Sequence, residues 1–209
     1  GDVYKRQQQA LWDYKVIFFR NQEITSEEQL RFAQRFGELE IHPFLPPNTE
    51  TPELVRFEKN ANAAGYENQW HHDVTWRETP SQGAILRAIE IPPIGGDTLF
   101  VDANAAYEGL TQERKDEIDS LNAVHDFLRA FGRQVPKEKL AEMREMYPLV
   151  KHPVVINHHQ TGKPLLYVNR IFVNGIEGYD EKEGFELIDA LCREFEVLEY
   201  SCRFKWEKN

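Results

Sequence analysis

The sequence predicts a mainly β fold with flanking helices, of the α+β class, in which short strands form a jelly-roll or cupin-like double sheet. Many short apolar runs are bounded by turns rich in Pro and Gly, such as residues 91–96, and this pattern is typical of a double sheet. Only a few segments space their apolar residues as an amphipathic helix does. The 209 residues contain no internal repeat and no Ser/Gly-rich linker, so we expect a single domain over residues 1–209.

Helices and short strands are predicted to alternate in the first half of the chain. Residues 1–7 are interpreted as a non-native leader, and the first helix is expected to end near Trp12. Thr25 with a Glu three residues later is a capping box, which predicts a helix that ends at Gly37. A polar loop is expected at residues 60–69. Apolar runs predict strands at residues 14–19, 54–57, 74–76, 84–90 and 98–101.

The second half of the chain is predicted to combine helices with a hairpin and two further strands. Helical spacing predicts helices at residues 104–110, 112–121 and 137–146. An amphipathic helix is expected at residues 181–194, with one face formed by Phe185, Ile188, Leu191 and Cys192. Strands at residues 154–157 and 165–168 flank a Gln-Thr-Gly-Lys turn and predict a hairpin. The remaining strands are expected at residues 123–127 and 201–206.

His71 and Asp73 form an H-x-D pair within the segment Trp-His-His-Asp-Val-Thr-Trp at residues 70–76. On an extended strand, side chains two residues apart point to the same side, so this imidazole and carboxylate would converge. Such a pair makes two of the three ligands of a 2-His-1-carboxylate triad, which holds non-haem Fe(II) and leaves positions open. The short motif leaves a second interpretation open, a strand-end His71 that is hydrogen-bonded to a neighbour. His72 would point to the opposite side of the strand.

Collinear motifs around this pair resemble those of a known family. They are FFRNQEIT and FAQRFGELEIHP before it, WHHDVTW itself, GGDTLF at residues 95–100, and HPVVINHHQTGKPLLYVNRIF after it. These motifs resemble the TauD/TfdA family of Fe(II)- and 2-oxoglutarate-dependent dioxygenases, including its taurine dioxygenase-like members. The resemblance implies a double-stranded β-helix, Fe(II) as metal, 2-oxoglutarate as cosubstrate, and a reaction with O₂ that releases succinate and CO₂. The substrate would be a small anionic organic molecule of the taurine or alkylsulfonate, alkyl sulfate or aryloxyalkanoate type.

The resemblance also assigns roles to individual residues. His71 and Asp73 would bind the metal, and the Thr98 hydroxyl would bind a carboxylate of 2-oxoglutarate. A strand-start Thr in a tight turn is the alternative for Thr98. Substrate-binding positions are matched by His42, Val74, Phe131 and Phe172. A His that orders the loop before Pro43 is the alternative for His42, and a place in the core is the alternative for the three apolar residues. Leu45 and Glu67 stand where taurine-type members carry a Tyr and an Asn, which puts taurine itself in doubt.

A third metal ligand is not evident in the sequence. The family's distal His and its 2-oxoglutarate-binding Arg have no match, and four candidates do not fit the distal position, namely His125, His152, His158 and His159. We therefore expect the domain to be incomplete at its C-terminus and the chain itself to be inactive. Two alternatives stay open: a cupin-type metal hydrolase or isomerase that uses the same His and Asp, and a non-catalytic β-domain that lacks the third ligand.

Composition narrows the range of partners. A net charge of −10 argues against nucleic acid, which binds basic surfaces. No apolar run approaches about 18 residues and no signal-peptide pattern is present, so we expect a cytoplasmic protein without a membrane partner. Cys192 and Cys202 lie on different predicted elements and are expected to be reduced thiols. The sequence leaves open whether the protein forms a homo-oligomer.

Overall fold

The computed structural model describes residues 2–42, 50–58 and 68–209. In chain order, its helices and strands are α1 (Asp2–Tyr14), α2 (Ser26–Ala33), β1 (Thr98–Val101), α3 (Ala103–Glu108), α4 (Gln112–Ile118), β2 (Asn122–His125), α5 (Phe127–Phe131), α6 (Leu140–Met146), β3 (Val150–Pro153), β4 (Val155–Asn157), β5 (Pro164–Leu166), β6 (Val173–Ile176), α7 (Glu181–Arg193) and β7 (Ser201–Phe204). The chain divides into two compact units. The larger comprises Gly1–Ile17, Gln69–Pro80 and Asp97–Phe204, and the smaller comprises Phe18–Asn68, Ser81–Gly96 and Lys205–Asn209.

The core of the larger unit is built around α7 and an antiparallel three-stranded sheet of order β3-β2-β6. Asp180 caps the start of α7, since its side chain accepts a 2.8 Å hydrogen bond from the backbone N–H of Glu183. Where α7 packs on β6, a Cβ on Gly184 would lie 3.3 Å from the backbone nitrogen of Ile176, so this close approach favours glycine. The apolar face of α7 buries Leu187, Ile188, Leu191 and Cys192.

Two antiparallel ladders supply the other strands of the larger unit. β1 pairs with β7, with Thr98 opposite Phe204, and β4 pairs with β5 to form a hairpin. Directly after β1, Asp102 caps α3 by accepting hydrogen bonds from the backbone N–H groups of Asn104 and Ala105. α3 packs on β5, which joins the hairpin to the same core.

An aromatic cluster follows β2 in the larger unit. Asp126 comes directly after β2 and caps α5, because its carboxylate accepts a 2.8 Å hydrogen bond from the Leu128 backbone N–H. The ring of Phe127 then lies 4.9 Å from Phe131 and 4.6 Å from Tyr147, centroid to centroid. Aromatic pairs at such distances add to the free energy of burial, so α5 and α6 are fixed by ring contacts.

The smaller unit contains the predicted capping box. The backbone N–H of Glu28 donates to Thr25 Oγ1 at 3.2 Å, and the backbone N–H of Thr25 donates to a Glu28 carboxylate oxygen at 2.8 Å. This reciprocal pair starts α2 at the predicted place. The helix ends at Ala33, earlier than the predicted Gly37, and the chain continues through a turn.

Four of the predicted strands are wrong: the structure forms no strand at residues 14–19, 54–57, 74–76 or 84–90. α1 runs to Tyr14, and Lys15 after it has a left-handed φ of 64°. In segment 84–90, Ile89 is 59% exposed, and the Ala88 carbonyl accepts a hydrogen bond from the Asn209 backbone N–H instead of joining a ladder. An apolar run becomes a strand only when another strand pairs with it.

The remaining predicted elements within the described residues are confirmed in type, and β1 and the start of α7 fall at the predicted residues. The predicted fold class is corrected in one respect. The secondary structure of the described residues is mixed rather than mainly β, because the α-helices cover more residues than the strands do. The predicted loop at residues 60–69 lies mostly outside the described residues. In the part of the chain that the structure describes, no helix has the length and apolarity needed to cross a membrane. Cys192 is a buried thiol and Cys202 an exposed one.

Candidate metal centre

The structure brings His71 and Asp73 together. Nε2 of His71 lies 3.1 Å from Oδ1 of Asp73, and Nδ1 of His71 lies 2.9 Å from the carbonyl oxygen of Gln69. A carbonyl oxygen can only accept, so Nδ1 carries the hydrogen and is the donor. A cation between Nε2 and the carboxylate, either a proton or a metal ion, satisfies both atoms. Two ligands at right angles on a divalent ion with bonds of roughly 2.1 Å would be about 3 Å apart, which is the separation found.

The backbone reason for this convergence differs from the predicted one. Residues 73–76 form a turn, with Val74 at a left-handed φ of 48° and the Arg77 backbone N–H donating to the Val74 carbonyl at 3.1 Å. A left-handed conformation is rare for a β-branched residue and costs on the order of 1–3 kcal/mol. The surrounding structure must therefore hold this turn. Val74, Thr75 and Trp76 are all buried, while His71 and Asp73 face the exposed side.

Hydrogen bonds from two strands and a loop hold the buried side of the turn. Nε2 of His152 lies 2.9 Å from the carbonyl oxygens of both Thr75 and Arg77. Both partners are acceptors, so Nε2 of His152 carries the hydrogen and donates to both. The Thr75 hydroxyl lies 2.9 Å from Nδ1 of His125 and accepts a longer bond of 3.4 Å from Nδ2 of Asn169. The turn is thus tied to β2, to β3 and to the loop before β6.

His72 and His125, which pack around the turn, are neutral at neutral pH. Burial lowers the pKa of His125 to about 3, and the nearby imidazoles of His152 and His72 lower it further. Burial also lowers the pKa of His72 to about 4, with a smaller contribution from His71 that opposes the effect of Asp73. The ring of Tyr167 contacts the rings of His72, His125 and His152 in tilted and edge-to-face arrangements. Burial raises the pKa of Tyr167 to about 12. The side chains of His72, His125 and Tyr167 are therefore uncharged at neutral pH.

Trp76 fixes the far end of the turn. Its ring is 3% exposed and meets Phe127 and Tyr147 edge to face, each at 5.1 Å between centroids. The guanidinium of Arg77 lies 5.0 Å from the centroid of the same ring. Burial of this large side chain offsets part of the conformational cost at Val74.

The other predicted site residues lie in several places. Thr98 is the first residue of β1, and Gly95 and Gly96 before it have φ of 77° and 75°, which suits the predicted glycine turn. Phe131 lies 6.1 Å from Phe172, ring to ring, within the larger unit. His42 belongs to the smaller unit. Leu45 and Glu67 lie outside the described residues.

The described residues contain no group of three or more His, Cys, Asp or Glu side chains arranged to hold a metal ion. His125 and His152 are used in the network beneath the turn. His158 and His159 stack on each other at 5.1 Å where β4 turns into β5. Within the described residues, none of these four joins His71 and Asp73 in a group of three.

Sequence reasoning missed the parts played by Thr75 and Asn169. Both are fully buried polar residues, and although both lie within motifs that resemble those of the family, neither had a predicted role. The one available signal was a hydroxyl in the middle of the apolar run Val74 to Trp76, since a buried hydroxyl needs a hydrogen-bond partner.

Comparison with known proteins gives consistent matches. The model of the family described as "Taurine catabolism dioxygenase TauD, TfdA family" matches residues 2–209. The alkylsulfatase of Acinetobacter baylyi is 32% identical over 95% of this chain, which spans 64% of that relative's length. The alpha-ketoglutarate-dependent sulfate ester dioxygenase of Pseudomonas putida is 33% identical over 96% of this chain and 68% of its own length. The crystal structure of a taurine dioxygenase from Burkholderia xenovorans superposes with a TM-score of 0.81 at 31% identity, over 99% of this chain and 68% of that one.

Proposed function

The chain belongs to the TauD/TfdA family, and we propose that the protein carrying it is an Fe(II)- and 2-oxoglutarate-dependent dioxygenase. The observation that carries this proposal is the 3.1 Å approach of His71 Nε2 to Asp73 Oδ1, which suits adjacent ligand positions on one ion. An imidazole nitrogen and a carboxylate oxygen are the donor types that non-haem iron takes.

His71 and Asp73 would hold the metal, and the rest of the turn would orient them. The Gln69 carbonyl, by accepting from Nδ1 of His71, leaves Nε2 as the coordinating nitrogen. When bound, Fe(II) with 2-oxoglutarate supplies the O₂ chemistry that oxidises a substrate carbon and releases succinate and CO₂. The buried side chains of Val74 and Trp76 would shield one side of the pair from water.

Thr98 is our candidate for the 2-oxoglutarate contact. It opens β1 directly after the glycine turn, where its hydroxyl can donate to a carboxylate oxygen. The finer fold assignment, a double-stranded β-helix, belongs to this proposal too. It is supported by the superposition on the taurine dioxygenase and by the three antiparallel sheets of the larger unit.

For the substrate we propose a small anionic organic molecule. The names of the three relatives refer to an alkylsulfatase, a sulfate ester dioxygenase and a taurine dioxygenase, which all point to a sulfur oxyanion. We assign Phe131, Phe172 and Val74 to the organic portion of the substrate, and His42 to its anionic group, on the family resemblance. Phe131 and Phe172 lie 6.1 Å apart, and Val74 and Phe172 are buried. Aryloxyalkanoates carry the same combination of anion and apolar body and stay within the proposal.

The experiment measures succinate formation by the natural gene product that carries these residues, with Fe(II), 2-oxoglutarate and a panel of hexyl sulfate, taurine and an aryloxyacetate. We expect turnover with at least one substrate, and a loss of more than about 100-fold in His71→Ala and Asp73→Ala. His159→Ala, at an exposed hairpin position, is the control and should match the wild type. Turnover without 2-oxoglutarate would point to a metal hydrolase or isomerase instead. Unchanged succinate formation in both ligand variants would remove the metal assignment.

A further inference from the structure

We propose that Thr75, His125 and His152 are positioning residues, which set the metal affinity of His71 and Asp73 without touching the metal. The proposal rests on the proposed function, because it takes His71 and Asp73 as ligands. It adds to that site three residues that the sequence alone did not place there.

The position of Thr75 in the chain couples it to Asp73. It lies two residues after Asp73, in the turn that the Arg77 N–H to Val74 carbonyl bond closes. Its side chain is fully buried, whereas the Asp73 side chain is 66% exposed. One face of this short turn therefore presents the ligands and the other face is anchored in the core. A shift of the anchored face moves the carboxylate.

His152 makes a double hydrogen bond to the backbone of the turn. Its single Nε2–H donates at 2.9 Å to the carbonyls of Thr75 and Arg77, which flank Trp76 on either side. Two carbonyls that point at one N–H have their peptide planes fixed. This constraint acts on the residues that follow the left-handed Val74, where the backbone conformation is least favourable by itself.

The side chains that hold the turn are themselves fixed in place. His125 lies on β2 and His152 on the neighbouring β3, and their rings meet edge to face at 4.9 Å. Asn169 is fixed as well, since its Oδ1 accepts from the backbone N–H groups of Ile171 and Phe172, which directs Nδ2 to the Thr75 hydroxyl. The Thr75 hydroxyl is thus held between two side chains that cannot easily move.

These residues are not additional ligands. Nε2 of His152 is a donor to carbonyl oxygens and has no lone pair for a metal. Nδ1 of His125 is engaged with Thr75, and although its buried Nε2 has no hydrogen-bond partner among the described residues, these contain no group of three metal-binding side chains that includes it. Support of ligands through such contacts commonly changes metal affinity by about 10- to 100-fold, which is large enough to measure.

The test uses Co(II) as a probe, added to the metal-free natural gene product, with Kd and the d–d absorption bands read from one titration. We expect Thr75→Val to weaken Co(II) binding by about tenfold or more and to shift the bands, because it keeps the shape but removes the hydroxyl. Thr75→Ser, which keeps the hydroxyl, should stay within about threefold of the wild type. His152→Leu, which removes the N–H donor, and His152→Gln, which keeps one, form a second pair. This pair tests the positioning role if Thr75→Val does not fold.

Ile188→Val, a core substitution in α7, is the control for stability alone. It should lower the Tm of the metal-free protein and leave the Co(II) Kd and spectrum unchanged. A wild-type Kd and spectrum in Thr75→Val and His152→Leu, alongside loss of binding in Asp73→Ala, would overturn the positioning role and leave the proposed function standing. Equal Co(II) binding by wild type and Asp73→Ala would remove the metal assignment and, with it, this inference.

Discussion

The guanidinium of Arg144 donates two parallel hydrogen bonds to the carboxylate of Asp126. Nη1 donates to Oδ1 and Nη2 donates to Oδ2, both at 2.8 Å. The Asp126 side chain is only 7% exposed and also caps α5. These hydrogen bonds hold the pKa of Arg144 above its usual value. Because α6 carries Arg144 and Asp126 directly follows β2, the pair joins α6 to the strand that holds His125.

We expect Arg144→Ala to lower the free energy of unfolding by about 2 kcal/mol, because it leaves the Asp126 carboxylate buried without its partner. The half-exposed position of Arg144 lets water replace part of the interaction and keeps the loss below that of a fully buried pair. Urea unfolding at neutral pH measures the effect.

Arg114→Ala is the matched control for this pair. Arg114 forms an ion pair with Glu117 on the surface of α4, and such pairs contribute about 0–1 kcal/mol. If Arg144→Ala and Arg114→Ala lowered the free energy of unfolding equally, the Arg144–Asp126 pair would contribute no more to stability than a surface ion pair.

Two of the helices that the sequence predicted correctly have local signals. The capping box at Thr25 and the amphipathic helix after Asp180 need only residues three or four positions away. The strands predicted at 54–57 and 84–90 failed because a strand depends on a partner that can lie anywhere in the chain. Local composition does not contain that information.

The candidate site shows the same division. The H-x-D motif correctly indicated that His71 and Asp73 meet, although a turn with a left-handed Val74 brings them together instead of an extended strand. The supporting network could not be predicted, since Thr75 meets His125 across 50 positions and Asn169 across 94. Only the folded chain places these polar groups together, because each buried hydroxyl or imidazole must find its partner in three dimensions.

Gly109 ends α3 beneath the ring of Tyr200, and this contact gives a second prediction. A Cβ at Gly109 would overlap the Tyr200 hydroxyl oxygen and lie 3.0 Å from Cζ of the same ring. The φ of Gly109 is −70°, so backbone strain plays no part and the effect is steric alone. We expect Gly109→Ala to lower the free energy of unfolding by about 1–3 kcal/mol, measured by urea titration.

Gly175 in β6 provides the control for this steric prediction. A Cβ there would meet nothing within 4 Å, so Gly175→Ala should change the free energy of unfolding by less than about 0.5 kcal/mol. If Gly109→Ala proved as stable as the wild type or as Gly175→Ala, the predicted steric overlap with Tyr200 would be wrong.

The third prediction concerns the pH dependence of stability in the metal-free protein. The folded-state pKa of His125 is lowered to about 3, against about 6.5 in the unfolded chain. Above pH 6.5 the imidazole is neutral in both states and has no effect. Below that pH the unfolded state binds a proton that the folded state refuses, so stability falls as pH falls. Between pH 7.5 and pH 5.0, this single group should lower the free energy of unfolding by about 2 kcal/mol.

The comparison of wild type with His125→Gln isolates this contribution. The titratable groups that face His125 are His72, His152 and Tyr167, and all three remain in the variant. We expect His125→Gln to be less stable than the wild type at pH 7.5, because it disturbs the contact with Thr75. Between pH 7.5 and pH 5.0, however, it should lose about 2 kcal/mol less than the wild type does. Parallel stability curves for the two proteins, measured by urea unfolding with a chelator present, would mean that His125 is protonated as readily in the fold as outside it. The assignment of a neutral imidazole to His125 in the folded protein would then be wrong.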